Sequence, residues 1–169
     1  MTMMWTWTWR KLMFKRLFSN SIDTTALCTS RLFDNETFYK AFIGDLRRAN
    51  QNIYIESPFI TTKRMDMLLP ILTSARHKGV RVTVNTRPPN EHNGKYISQA
   101  CESVQDMQSM GITVLYTVKH HRKIAIIDDE ILWEGSLNIL SQSNSCEIMR
   151  RSVSSSIVRQ MKEYIKCNN

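Results

Sequence analysis

Residues 121–138 read His-Arg-Lys-Ile-Ala-Ile-Ile-Asp-Asp-Glu-Ile-Leu-Trp-Glu-Gly-Ser-Leu-Asn. Two short apolar runs, Lys123–Ile127 and Ile131–Trp133, flank three consecutive acids, the pattern of a β-hairpin turning at Asp128-Asp129-Glu130. Alternate side chains of an extended strand share a face, so His121 and Lys123 point the same way about two residue rises apart. The hairpin returns Gly135-Ser136-Leu137-Asn138 to the start of the first strand. Gly135 permits close backbone approach there, and the Ser136 hydroxyl and Asn138 amide add neutral donors beside the Lys123 ammonium. An imidazole, an ammonium and small donors on one side form a site for an anion, phosphate above all, where Lys123 holds the charge that grows on a non-bridging oxygen. His120 is one residue out of register with Lys123. It is expected to face away or lie in the preceding loop, without a catalytic part, because a His-His pair in a loop is ordinarily exposed polar surface. Three acids in a row suggest Mg²⁺, but consecutive side chains diverge and acids at a hairpin tip are ordinary turn chemistry, so no metal site is assigned. Asp128 reads as a structural hydrogen-bond partner, fixing the hairpin or a basic side chain.

Outward from the hairpin, helix-like and strand-like segments alternate. Asp34 is placed to cap a helix running to about Ala49, with Phe38, Phe42 and Leu46 on one face. A β-rich run over 52–56 ends at Ser57-Pro58. A helix over 62–77 stops before Gly79, and Pro70 within it predicts a kink or a late start. A strand over 80–85, a Pro88-Pro89-Asn90 loop, a helix over about 95–110 stopped by Gly111 and a strand over 112–116 lead into the hairpin. A strand over 146–152 and a helix over 154–166 close the chain. Strands alternating with helices of this length predict an α/β fold, a single domain with a mixed β-sheet flanked by helices on both faces, the hairpin supplying its antiparallel part.

A chain of 169 residues fits one such domain, with at most an appendage. Residues 1–22 are that appendage. They hold no acid, place Trp5, Trp7 and Trp9 in alternation with Thr, and follow with Arg10, Lys11, Lys15 and Arg16 among apolar residues. Charges that break the apolar run argue against a secretory signal, and the segment reads as a basic aromatic leader or amphipathic helix. The domain proper is placed at 33–169. The formal charge of +8 favours polyanions as partners. Four scattered cysteines, Cys28, Cys101, Cys146 and Cys167, form no Cys-x-x-Cys pair and support neither a zinc site nor a disulfide framework. No apolar run approaches the roughly 20 residues of a membrane span, so a soluble, reducing, cytoplasmic setting is expected and a membrane partner is not.

The spacing His-x-Lys-x4-Asp-x6-Gly-Ser-x-Asn resembles the signature of the phospholipase D superfamily. Each fixed position is met, by His121, Lys123, Asp128, Gly135, Ser136 and Asn138. From about Phe33 onward the chain is similar to the short, single-motif nuclease-type members. The resemblance implies that superfamily's fold and a catalytic set of His121, Lys123, Asp128, Ser136, Asn138 and Glu147. Glu147, in Asn144-Ser145-Cys146-Glu147, is the carboxylate expected to orient the nucleophilic histidine. It implies no cofactor and no metal, a phosphohistidine intermediate, and a homodimer in which each subunit gives one His121 and one Lys123 to a shared site, because two such clusters are needed and this chain carries one. Gly135 with Arg87, Lys95 and Arg150 is the candidate substrate-binding set, His92 and Arg151 adding charge nearby. Nuclease-type domains of this kind are also found joined to helicases, so a helicase or other DNA-processing protein is a partner the resemblance allows. The expected function is metal-independent endonucleolytic cleavage of DNA or RNA. A lipid hydrolase or phosphatidyl transferase, favoured by the leader, and a non-catalytic nucleic-acid-binding module stay open beside it.

Overall fold

The computed structural model describes residues 29–167 apart from residues 95, 142 and 143. The expected leader, residues 1–22, and Lys95 lie outside the described residues. The elements run β1 (Arg31–Asp34), α1 (Phe38–Arg48), β2 (Asn52–Glu56), α2 (Thr62–His77), β3 (Arg81–Thr86), α3 (Tyr96–Ser109), β4 (Thr113–Tyr116), β5 (Ile124–Ile127), β6 (Ile131–Gly135), β7 (Ile148–Val153) and α4 (Ser155–Cys167). All seven strands join one sheet in the order β1-β7-β6-β5-β2-β3-β4. β2, β3 and β4 are parallel, while β1, β7, β6, β5 and β2 pair antiparallel in succession.

β5 lies at the centre, and its sequence explains why. Ile124, Ala125, Ile126 and Ile127 are all buried, as a strand covered on both faces must be. Ala125 and Ile127 enter the larger core with Phe38, Phe42 and Leu46 of α1, Leu68 and Leu72 of α2 and Met107 of α3. Ile124 and Ile126 point to the opposite face, where Leu132, Val158 and Ile165 join them under α4. Among the described residues, three helices on one face and one on the other make the α/β mixed-sheet domain that the alternation predicts. Trp133 of β6 is fully buried among Phe33, Phe38 and Phe42, and its indole N–H donates to Asp45 Oδ2 (2.9 Å). Arg151 closes on the same carboxylate through two bonds (2.7 and 3.1 Å). Arg151 is therefore a structural partner of Asp45 and not the solvent-facing charge expected from Arg150-Arg151.

Three local expectations change. Asp34 does not cap α1: its Oδ1 accepts from the N–H of Glu36 and Thr37 and from the Thr37 hydroxyl, an Asx-type turn that ends β1, and the helix begins only at Phe38. β1 itself, an edge strand on β7, was not expected, its four residues being exposed or half-buried without alternation. α2 starts at Thr62, so Pro70 does not delay it but sits inside it on the exposed side. The hairpin is as expected. Asp128 and Asp129 have φ of 53° and 59°, the left-handed pair that a type I′ turn requires, and Glu130 N–H closes on Ile127 O (3.1 Å).

Candidate active site

The antiparallel register that starts β5 at Ile124 opposite both Glu56 and Glu134 puts three things at one end of the sheet. These are the residues preceding β5, the end of β6, and the loops leaving the carboxyl ends of β2 and β3, where open α/β sheets ordinarily bind ligands. His121 and Lys123 stand just before the strand rather than within it, yet their side chains meet. Lys123 Nζ is 2.9 Å from His121 Nδ1 and donates to the His121 carbonyl (2.6 Å). Lys123 is buried, at 8% exposed, while His121 stays exposed. An ammonium has only donors, so in this arrangement Nδ1 accepts and the proton of the neutral ring sits on Nε2. The positive charge of Lys123, with lesser burial and Arg87, holds the His121 pKa below the usual 6.5, which favours the neutral ring. Burial in turn lowers the Lys123 pKa, and the Glu147 carboxylate opposes that shift.

Gly135 follows Glu134, the partner of Ile124, and so lies across from Lys123. A Cβ there would collide with the Ile148 carbonyl oxygen and come within 2.9 Å of Met149 Cα, so only glycine lets β6 and β7 approach this closely. Ser136 fastens the loop to β7: its N–H donates to Ile148 O (3.0 Å) and its Oγ accepts from Ile148 N–H (3.2 Å). Leu137, Ile139 and Leu140 are buried around Asn138, whose Oδ1 is sealed and has no hydrogen-bond partner among the described residues. Glu147 Oε1 accepts from the Ser145 hydroxyl (2.7 Å). A cleft of about 550 Å³ is lined by His121, Lys123, Gly135 and Arg150 together with Leu32, Ile148 and Tyr164.

Two residues of the expected set stand away from the cleft: Asp128 in the structural part read for it from the sequence, and Arg87. Asp128 is at the opposite end of β5, about 16 Å from Lys123 at ~3.3 Å per residue. Its carboxylate accepts from three successive backbone N–H groups, Asn50 (2.9 Å), Gln51 (2.7 Å) and Asn52 (3.0 Å). It ties the start of β2 to the hairpin, and it binds backbone rather than a basic side chain. Arg87 does not face the cleft: its Nε donates to His120 O (2.6 Å) and its guanidinium lies 4.9 Å from the centre of the Phe59 ring.

Directly behind the cluster lies a buried network that the motif does not announce. Glu56, fully buried at the end of β2, accepts from Arg122 Nε (2.5 Å) and Nη2 (3.1 Å), from the Tyr54 hydroxyl (2.6 Å) and from Asn85 Nδ2 (3.2 Å). Burial pushes its carboxyl pKa up, but the Arg122 and Tyr54 hydrogen bonds outweigh it, and the net shift is below the ordinary 4.5. His120 is buried too, contrary to the expectation of exposed surface. Its Nδ1 accepts from Arg122 N–H (3.0 Å), its Nε2 lies 3.9 Å from Glu56, and burial lowers its pKa. His120 and Arg122 thus anchor the backbone on both sides of His121. The available sequence signal was Glu56 itself, a charge closing the short apolar strand over 52–56, which must find a partner if that strand is internal.

A central strand entered through His-x-Lys, with Gly-Ser-x-Asn folded back beside it on a mixed sheet, defines a domain of the phospholipase D type. The chain belongs to that family: the family model described as "Cardiolipin synthase, PLD-like domain" matches residues 42–167. Among solved structures, NucT from Helicobacter pylori superposes with a TM-score of 0.65 at 19% identity, covering 81% of this chain and 92% of its own. Nuc from Salmonella typhimurium, a phospholipase D family member, gives 0.66 at 14% identity, with 80% and 90% covered. The archaeal chromatin protein TrmBL2 gives 0.58 at 14% identity, over 94% of this chain and 57% of that one. These likenesses show a shared fold. No curated protein sequence is a significant match. Among the described residues, no three His, Cys, Asp or Glu side chains are grouped to hold a metal ion, and no helix is long and apolar enough to cross a membrane.

Proposed function

We propose that this protein is a phosphodiesterase that cuts nucleic acid internally, DNA in the first place, through a phosphohistidine formed in a site shared by two copies of the chain. The observation that carries the reading is the pairing of an exposed, neutral imidazole with a buried ammonium 2.9 Å away at the mouth of a basic cleft. A phosphate entering the cleft offers Lys123 a better acceptor than the His121 ring. Lys123 moves to a non-bridging oxygen, the ring proton passes from Nε2 to Nδ1 through water, and the new Nδ1–H donates to the Glu147 carboxylate, which frees the Nε2 lone pair. His121 of one subunit then attacks phosphorus, forming a P–N bond as the P–O bond to the leaving group breaks. The protonated His121 of the partner gives its proton to the departing oxygen. In the second displacement water attacks phosphorus, the P–N bond breaks, and the partner imidazole takes the water's proton. Ser136 and Asn138 line the phosphate, and Arg150 guides the strand toward it. Imidazole and ammonium supply nucleophile, acid and charge, so the proposal includes no metal.

A lipid phosphodiester is the second reading, supported by the apolar flank of the same cleft, where Leu32, Ile148 and Tyr164 are 60%, 51% and 59% exposed. The net charge of +8 and Arg150 favour nucleic acid. The test is a mixed-dimer assay in EDTA on plasmid DNA, single-stranded DNA, RNA and phosphatidylcholine vesicles. The expected result is cleavage of nucleic acid that survives chelation, with His121→Ala subunits poisoning their wild-type partners. Independent half-activity in mixed dimers, or activity restored only by Mg²⁺, would overturn the mechanism, and turnover of lipid alone would reverse the substrate.

A further inference from the structure

A second cavity, of about 530 Å³, shares no lining residue with the first cleft, and its walls include Phe59, Thr61, His92, Asn93, Tyr96 and Gln99. It is coupled to the catalytic loop by two contacts. Arg87 lays its guanidinium 4.9 Å from the centre of the Phe59 ring and donates to the carbonyl of His120, the residue before His121. Thr61 N–H donates to Leu140 O (2.9 Å), tying the cavity's other wall to the loop that carries Asn138. The walls of the cavity are thus tied to the chain on both sides of the catalytic cluster, next to His121 and next to Asn138.

Its lining is aromatic in part and polar in part. The Phe59 and His92 rings meet edge to face at 5.4 Å, and Tyr96 adds a third ring, 42% exposed. His92 is 4% exposed, and its Nε2 is sealed from water without a hydrogen-bond partner among the described residues. A buried polar atom left in this way costs free energy unless a ligand satisfies it. An acyl chain would offer no hydrogen bond to that nitrogen or to the side-chain amides of Asn93 and Gln99, of which Gln99 Oε1 alone is engaged, by Thr62 N–H (3.4 Å). A flat heterocycle with donors and acceptors round its edge would stack on the rings and use the polar groups.

We propose that this cavity receives the nucleobase flanking the scissile phosphate, turned out of its stack. The proposal rests on the nucleic-acid reading above and adds to it that the enzyme takes unstacked, single-stranded substrate in preference to duplex, since a paired base cannot enter without being extruded. The test uses dinucleoside monophosphates, which contain one phosphodiester, and their analogues with the base on either side replaced by an abasic sugar. For the wild-type protein, base removal on one side is expected to lower kcat/KM on the order of ten-fold, the size of one stacked base. Tyr96→Ala is expected to lose that much on the intact dinucleotide and to be almost indifferent to the same base removal, while Tyr96→Phe retains the wild-type response. With His121→Ala protein, a dinucleotide carrying 2-aminopurine on that side should be quenched on binding, and the quench should vanish with Tyr96→Ala added. Equal sensitivity to base removal in wild type and Tyr96→Ala, or binding without quench, would overturn the pocket while leaving the nuclease reading intact. No binding or turnover of any dinucleotide, with phosphatidylglycerol hydrolysed instead, would overturn both.

Discussion

Replacing Glu56 by Gln removes the charge at the centre of the network that holds the loop carrying His121. The side chain is fully buried and makes two bonds to Arg122, whose own side chain is 22% exposed. Breaking one partner of a buried ion pair costs about 3–5 kcal/mol, and the partly wet Arg122 places this pair at the lower end. A loss of ~3 kcal/mol is on the order of a hundred-fold in the folding equilibrium, and for a domain of this size it lowers Tm by about 6–12 °C. Urea unfolding of wild type and variant measures it directly. The pH dependence is a second, independent readout. Because the folded Glu56 carboxyl titrates below its ordinary 4.5, its stabilising contribution is fully present above that value and is lost as pH falls through the folded pKa. The gap between wild type and Glu56→Gln should therefore be complete at neutral pH and shrink below about pH 4.5. Adding Arg122→Met to Glu56→Leu should recover about half the loss of Glu56→Leu alone, since no unpaired charge is then left. A cost under ~1 kcal/mol at pH 7, or a gap that does not change with acid, would refute the claim that this pair is sealed and binds the loop.

Asp128→Ala should lose about 2–3 kcal/mol, having deprived three backbone N–H groups of a charged acceptor, while the folded fraction keeps its turnover number. A collapse of kcat without loss of stability would instead make Asp128 a catalytic group. Gly135→Ala should cost about 2–3 kcal/mol through the collision with the β7 backbone, read as a lowered urea midpoint; a neutral substitution would show that β6 and β7 are not in such close contact. Lys123→Met should raise the His121 pKa toward 6.5, because the ammonium is the main cause of its depression. An NMR titration of the imidazole measures this, and an unmoved pKa would deny the contact.

The strongly patterned parts of the chain were legible in the sequence. Ile124–Ile127, the acids of the turn and Ile131–Trp133 announce the hairpin, and the spacing of Phe38, Phe42 and Leu46 announces α1, because burial forces those periods. β1 was not legible: Arg31–Asp34 is a strand only because β7 offers it an edge, a fact of tertiary pairing and not of local pattern. Asp34 carries a helix-cap residue type, but its carboxylate is spent on the turn one step earlier. At the site, the i, i+2 relation rightly set His121 and Lys123 side by side, though both precede the strand. The same local rule misjudged His120, because what buries it is Glu56, 64 positions earlier in the chain, and no spacing encodes that partnership. Arg87 and Arg151 read as free charges for the same reason. Their partners, the His120 carbonyl and Asp45, are brought to them only by the finished sheet.

A covalent trap reads out His121 as the proposed nucleophile: acid-free denaturation of protein caught during turnover of end-labelled DNA, followed by counting of label on the chain. An acid-labile, base-stable adduct is expected on wild-type protein at pH 6 and none on His121→Asn. Label on His121→Asn protein, or full cleavage by wild type with no adduct at any time point, would contradict it.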